Sequence, residues 1–192
     1  MSVSKNIKPT RIALITLVLC LIASAAIGIM IVLIGDFGER QIKILGTVAA
    51  LAAFSLISLP SLFNLERRQY QLAARPGIFS ALIFFLLILI IIWGSDDFGN
   101  EIIGKSTFTA GVVAFGLNHI LLLFIVKPGA KALQLVQKCT SVLICFVACI
   151  LIGTIWVEEM PDPLFRILIT LVILDVLGTI SLPILRRITF KS

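Results

Sequence analysis

Asp175 is the acid whose position most invites chemistry. It lies near the middle of the stretch from Arg166 to Arg187, RILITLVILDVLGTISLPILRR, and the nineteen residues between Arg166 and Arg186 carry no other charge. A hydrocarbon core of about 30 Å takes about 20 helical residues, so the stretch is long enough to cross a bilayer with the carboxyl group at mid-depth. An ionised carboxylate there costs about 3 kcal/mol on insertion scales. It must be protonated, paired, or turned toward a wet cavity. The functional reading is a proton or cation site. The structural reading is a neutral acid donating a hydrogen bond to a neighbouring helix, for instance to Asn118.

Asn118 and His119 form the second polar spot and complete the candidate site. Adjacent helical positions lie about 100° apart, so the two side chains look toward different neighbours. With one histidine in the chain, a haem held from both sides by imidazole is excluded, and no metal-ligand spacing is present. Hydrogen bonding between helices is the expected role of both residues. Cys20, Cys139, Cys145 and Cys149 contain no CxxC and read as small apolar residues. HExxH, GxSxG, paired intramembrane aspartates and a glycine-rich phosphate loop do not occur. The expectation is therefore a protein that is not an enzyme and carries no cofactor or metal.

A third pattern is repeated. A basic residue stands four positions before a threonine as Lys43/Thr47, Lys105/Thr109 and Arg166/Thr170. The base can reach the interface while its stem covers apolar surface, and the hydroxyl can bond back within its helix or across to a neighbour. Helix anchoring is the expected role.

These residues need elements to hold them. The chain has 192 residues, 59% hydrophobic and 14% charged, against about 25% charged in a soluble domain. Six apolar spans can be counted: Ile12–Gly35, Ile44–Asn64, Gly77–Ser95, Ser106–Val126, Cys139–Val157 and Ile167–Leu185. The connections are too short for a soluble domain. Ala23-Ser24-Ala25 after a basic start fits a signal-cleavage site, but the apolar run continues to Ile34, which suits a retained span.

The second and sixth spans align without gaps. Ile44, Leu45, Thr47, Leu51, Ile57, Ser58, Leu59 and Pro60 match Ile167, Leu168, Thr170, Leu174, Ile180, Ser181, Leu182 and Pro183, 8 identities in 17 positions. Asp36-Phe37-Gly38 and Asp97-Phe98-Gly99 precede the second and fourth spans. Their glycines are expected to supply positive φ in turns. The fold class predicted is all-α: one polytopic transmembrane bundle over 1–192, built as three hairpin pseudo-repeats over 12–64, 77–126 and 139–185.

Charge sets the orientation. Twelve basic residues fall on the side of the termini and four (Arg40, Lys43, Lys105 and Arg166) on the other. This places both termini in the cytoplasm by the bias of basic loops. The net charge of +6 is thus sorted for insertion and does not indicate nucleic-acid binding.

Small residues mark the packing faces, since lipid gives no hydrophobic drive between helices. The expected faces are Cys20/Ser24/Gly28, Gly46/Ala50/Ala53, Thr107/Gly111/Ala114/Asn118, Ser141/Cys145/Ala148 and Asp175/Gly178/Thr179. The third span, LIFFLLILIIIW, has almost none and is expected at the lipid boundary. Pro60 and Pro183 should bend their helices. The functional expectation is a non-enzymatic accessory or assembly subunit of a membrane complex, with a membrane-protein partner or a homo-oligomer, in a bacterial inner membrane. The alternative is a small proton- or cation-coupled transporter or channel using Asp175, with Asn118, His119 and the threonines along the path.

Overall fold

The computed structural model describes residues 9–34, 38–67, 70–94, 101–126 and 131–189, less the side chains of 31–34, 186, 188 and 189. Six helices run in order: α1 (Pro9–Ile34), α2 (Glu39–Glu66), α3 (Gln71–Trp93), α4 (Glu101–Ile125), α5 (Lys131–Val157) and α6 (Asp162–Thr189). Each is long and apolar enough to cross a membrane. Segments this rich in Ile and Val suit strands in water. In hydrocarbon every N–H and C=O must find a partner inside the segment, and the helix does that.

Helices α2, α4 and α6 each begin with an acid, Glu39, Glu101 and Asp162, where the helix dipole favours negative charge. Glu39 pairs with Lys43 one turn on, at 2.6 Å. Helices α3 and α5 start more than a turn before the expected Gly77 and Cys139. Arg75, Lys131 and Lys138 lie in these added turns, where charged side chains can reach the interface while the backbone stays helical. Gly38 corrects one expectation: its φ of −80° is extended backbone open to any residue. Gly99 and the Asp-Phe pairs lie outside the described residues.

Neighbouring helices pack in sequence, and α2 also packs on α4. They run antiparallel, as end-to-start bonds show: the Thr10 N–H donates to Glu66 at 2.6 Å, and Gln137 donates to the Leu123 carbonyl at 2.8 Å. Helices α2, α3 and α4 thus form a three-helix centre, with α1 on one flank and α5, then α6, on the other. The third span keeps its lipid-facing side: no residue of LIFFLLILIIIW is buried, and Leu82, Ile83, Leu86, Ile90 and Ile91 are exposed. It lies between α2 and α4, and its added turns bring in Ala74, which is buried with Gly77 and Ala81.

The expected faces hold on α4, where Thr107, Ala114 and Asn118 are buried. On α6, Asp175 is buried and Gly178 lies against Thr140. On α5 the face is different. Leu133, Gln137, Thr140 and Ile144 are buried, while Cys145 is exposed, because longer side chains that bond backbone or fill space win over merely small ones. On α2 the buried stripe extends through Ser55, Ser58, Ser61 and Asn64.

The three central helices meet at Gly77. Asn118 Nδ2 donates to the Gly77 carbonyl at 3.0 Å and to the Ala114 carbonyl at 2.8 Å, while Ser61 donates its hydroxyl to Asn118 Oδ1. One turn away, Asn64 Nδ2 donates to the carbonyls of Leu121 at 3.0 Å and Pro60 at 2.8 Å. A Cβ on residue 77 would overlap Ser61 Oγ and sit 3.0 Å from Leu121 Cδ1. Gly77→Ala should therefore destabilise the bundle by about 1–3 kcal/mol, the range for overpacking. Gly153→Ala, where a Cβ meets nothing within 4 Å, should leave it unchanged. Reversible unfolding in mixed detergent–lipid micelles measures both, and equal stabilities would contradict the close approach.

Candidate functional site

Asp175 and His119 meet across α6 and α4. Asp175 Oδ2 lies 3.6 Å from His119 Nδ1, an ion-pair distance longer than a hydrogen bond. His119 Nε2 is 3.0 Å from Thr179 Oγ1, one turn beyond Asp175 on the same helix. With the ring proton on Nδ1, Nε2 accepts from the Thr179 hydroxyl, so the imidazole bridges two successive turns of α6. Phe115 packs against the ring in a T-shaped arrangement, centroids 5.7 Å apart. Asp175 is 9% exposed, and its Oδ1 has no hydrogen-bond partner among the described residues.

Asp175 and His119 also line an apolar cavity of about 610 Å³ between α3, α4 and α5. Phe84 and Ile88 of α3, Gly104 and Phe115 of α4, and Val147 and Leu151 of α5 line it. Gly111 makes room for Phe84, whose ring would be 2.8 Å from a Cβ there. Asp175 and His119 are two possible metal ligands, fewer than the three or four that zinc takes from protein. Among the described residues no group of three His, Cys, Asp or Glu forms. The arrangement can hold a proton between carboxylate and imidazole.

Asn118 is not part of this pair. It faces α2 and α3 through Ser61 and Gly77, so the expected bond from Asp175 to Asn118 is replaced by contact with His119. The step of about 100° between adjacent helical positions separates the two neighbours on α4. Thr47, Thr109 and Thr170 each donate to the carbonyl of the base four residues earlier, at 2.8, 2.8 and 2.9 Å. That is the anchoring geometry, and it leaves these threonines apart from Asp175.

Two of the three threonines also receive an indole. Trp93, ending α3, donates to Thr47 Oγ1 at 2.9 Å, and Trp156, near the end of α5, donates to Thr109 Oγ1 at 3.1 Å. Lys105 is held as well, by Glu101 of its own helix and by Glu158, two residues beyond Trp156. Glu158 takes left-handed backbone, φ 61°, in ending α5. Thr170 is exposed. Among the described residues it receives no indole and Arg166 makes no ion pair. Sequence reasoning had not singled out Trp93, Trp156, Ser61, Asn64 or Gln137. The three-residue spacing of Ser55, Ser58, Ser61 and Asn64 was a signal for the α2 stripe. Nothing local marked the tryptophans' partners.

Comparison of the chain with protein-family models, with curated proteins and with solved structures gives no match. The clamp between α4 and α5 has a direct test. A double-mutant cycle of Thr109→Val and Trp156→Phe should give a coupling of about 0.6 kcal/mol, the average for hydrogen bonds between membrane helices, and no more than about 1.7. Thr170→Val with Trp156→Phe should give none. Equal couplings in the two cycles would contradict the assignment.

Proposed function

We propose that this protein is a non-enzymatic accessory or assembly subunit of a membrane complex, and that a transmembrane helix of a different protein docks on α6. The observation that carries this reading is the incomplete third clamp. Thr109 and Lys105 hold an indole and an acid from the next helix, and Thr47 holds an indole. Thr170 and Arg166 repeat the pattern on an exposed face. The missing element is a helix ending in Trp followed two residues later by an acid. A second copy is a poor source, because the chain has two tryptophans and both are already bonded.

The reading takes the hairpins 12–64, 77–126 and 139–185 as pseudo-repeats, supported by the matching Ile-Ser-Leu-Pro of α2 and α6. It takes both termini as cytoplasmic, supported by the twelve-to-four distribution of basic residues. A bacterial inner membrane is the proposed location. A photo-crosslinking side chain at position 170, activated in the native membrane, should form an adduct with another membrane protein. The same group at Phe146, exposed on α5, should label lipid. Lipid adducts alone at position 170, or adducts to a second copy, would overturn the docking reading.

A second reading draws on the buried Asp175–His119 pair: a proton- or cation-coupled transporter with Asp175 near the midplane, where transporter sites commonly lie. Asn118 and the three threonines are bonded elsewhere, so the polar path this reading needs is short of residues. Asp175→Asn keeps hydrogen bonding and removes titration. Wild-type function in that variant would exclude coupling through Asp175, whereas lost function at normal expression would favour it.

A further inference from the structure

The rim at which α1, α3 and α5 begin carries most of the positive charge. Twelve of the sixteen basic residues fall there, against one acid, Glu66, which already accepts the Thr10 N–H at 2.6 Å. At the opposite rim the lysines are neutralised within the chain, Lys43 by Glu39 and Lys105 by Glu101 and Glu158. Helices α2, α4 and α6 begin with an acid, whereas α1, α3 and α5 have none in their first turn. Among the described residues Arg11, Arg67, Arg75, Lys131, Lys138 and Arg187 form no ion pair. Their counter-charge has to come from outside the chain.

Lys131 and Lys138 differ from the rest of this rim in what lies below them. Both are exposed on α5, and a spacing of seven brings helical positions back to within about 20° of each other. The same stripe continues into a surface groove of about 350 Å³, where Ser141, Val142, Cys145, Phe146 and Cys149 of α5 face Ile120 of α4. Val142 lies four residues beyond Lys138 and Cys145 seven, so the lysines stand directly over the groove. Long side chains on a helix lean toward its N-terminus, which turns Lys138 back toward Lys131. Gln134, exposed between them, adds an amide donor. From Lys138 to Cys149 the helix rises about 16 Å, half of a hydrocarbon core of about 30 Å. The groove is one leaflet deep.

Two unpaired cations over an apolar slot of that depth match the head and the chain of one molecule. Basic pockets at helix ends take acidic lipid heads in this way. A zwitterionic head brings its own cation and leaves the lysines without counter-charge. A soluble acidic protein would reach the lysines and leave the slot empty. We propose that the α4–α5 face binds an anionic glycerophospholipid, with its phosphate between Lys131 and Lys138 and one acyl chain along Val142, Cys145 and Cys149. The site is separate from the docking face of α6 and does not rest on that reading.

The test uses the full chain in nanodiscs of dioleoylphosphatidylcholine, doped with phosphatidylglycerol or phosphatidylcholine that carries a diazirine midway along one acyl chain. The phosphatidylglycerol probe should label Ile120 and the stretch from Val142 to Cys149, and the phosphatidylcholine probe should label them far less. The mole fraction that half-saturates labelling should rise about fivefold in Lys131→Gln or Lys138→Gln and about thirtyfold in the double variant, the electrostatic worth of one and two lysines at a membrane surface. Arg11→Gln with Arg75→Gln removes equal charge from the same rim, away from the groove, and should leave labelling unchanged. Cys145→Trp, at an exposed position, fills the slot and should suppress labelling with both lysines in place. Equal losses in the arginine and lysine pairs would reduce the effect to diffuse attraction and overturn the proposal. Equal labelling by the two probes, or wild-type labelling of Cys145→Trp, would overturn it as well. So would displacement by inorganic phosphate or soluble polyglutamate at constant ionic strength, which would assign the lysines to a soluble anion or an acidic protein.

Discussion

Helices in lipid gain little from pressing apolar side chains together, because the tails they displace are as apolar as leucine. What holds this bundle is the point where three backbones come close enough for polar groups to bond across. Gly77 permits that approach, and Asn118 exploits it by donating to the Gly77 carbonyl while accepting from Ser61. Asn64 repeats the device one turn away through the Leu121 carbonyl. Individually such bonds are worth about 0.6 kcal/mol in membranes. Clustered on a face with almost no side-chain bulk, they fix the rotation and register of α4 against α2 and α3.

The rotation of α4 decides the site. With Asn118 turned into the three-helix centre, the next residue points about 100° away, and His119 meets Asp175 and Thr179 of α6. The same orientation leaves Gly104, Gly111 and Phe115 along the apolar groove between α3 and α5. One face of α4 is structural and polar, and the adjoining face is apolar with a polar end. The burden on α6 is different. It packs on α5, buries Asp175 and Leu182, and presents Thr170 and Arg166 outward.

Much of the fold was legible because a bilayer allows few solutions. Length and hydropathy marked six helices, since in hydrocarbon a spanning segment of this kind must bond its own backbone. The polar candidates were legible for the same reason: Asp175, Asn118 and His119 stand out in apolar surroundings, and all three make contacts between helices. Their pairing was not legible. Which of two adjacent residues faces α6 depends on the rotation of α4, and Gly77 sets that through a contact far away in sequence. The lipid-facing side of α3 was legible in LIFFLLILIIIW, but its packing edge was not, because its buried small residues begin at Ala74, in a turn bearing Arg75 that hydropathy assigns to a loop. The indole clamps were missed because Trp93 and Trp156 lie 46 and 47 residues from their threonines, and no local pattern links them.

The account stands on α6 being a docking face, and composition of the native assembly tests that most directly. The protein should be extracted from its own membrane in polymer-bounded lipid discs, and the discs analysed by native mass spectrometry. The account predicts a second membrane protein in fixed stoichiometry, with tryptophan and an acid two residues apart at one end of a span. Discs containing this chain alone, as a monomer or a homo-oligomer, would contradict it.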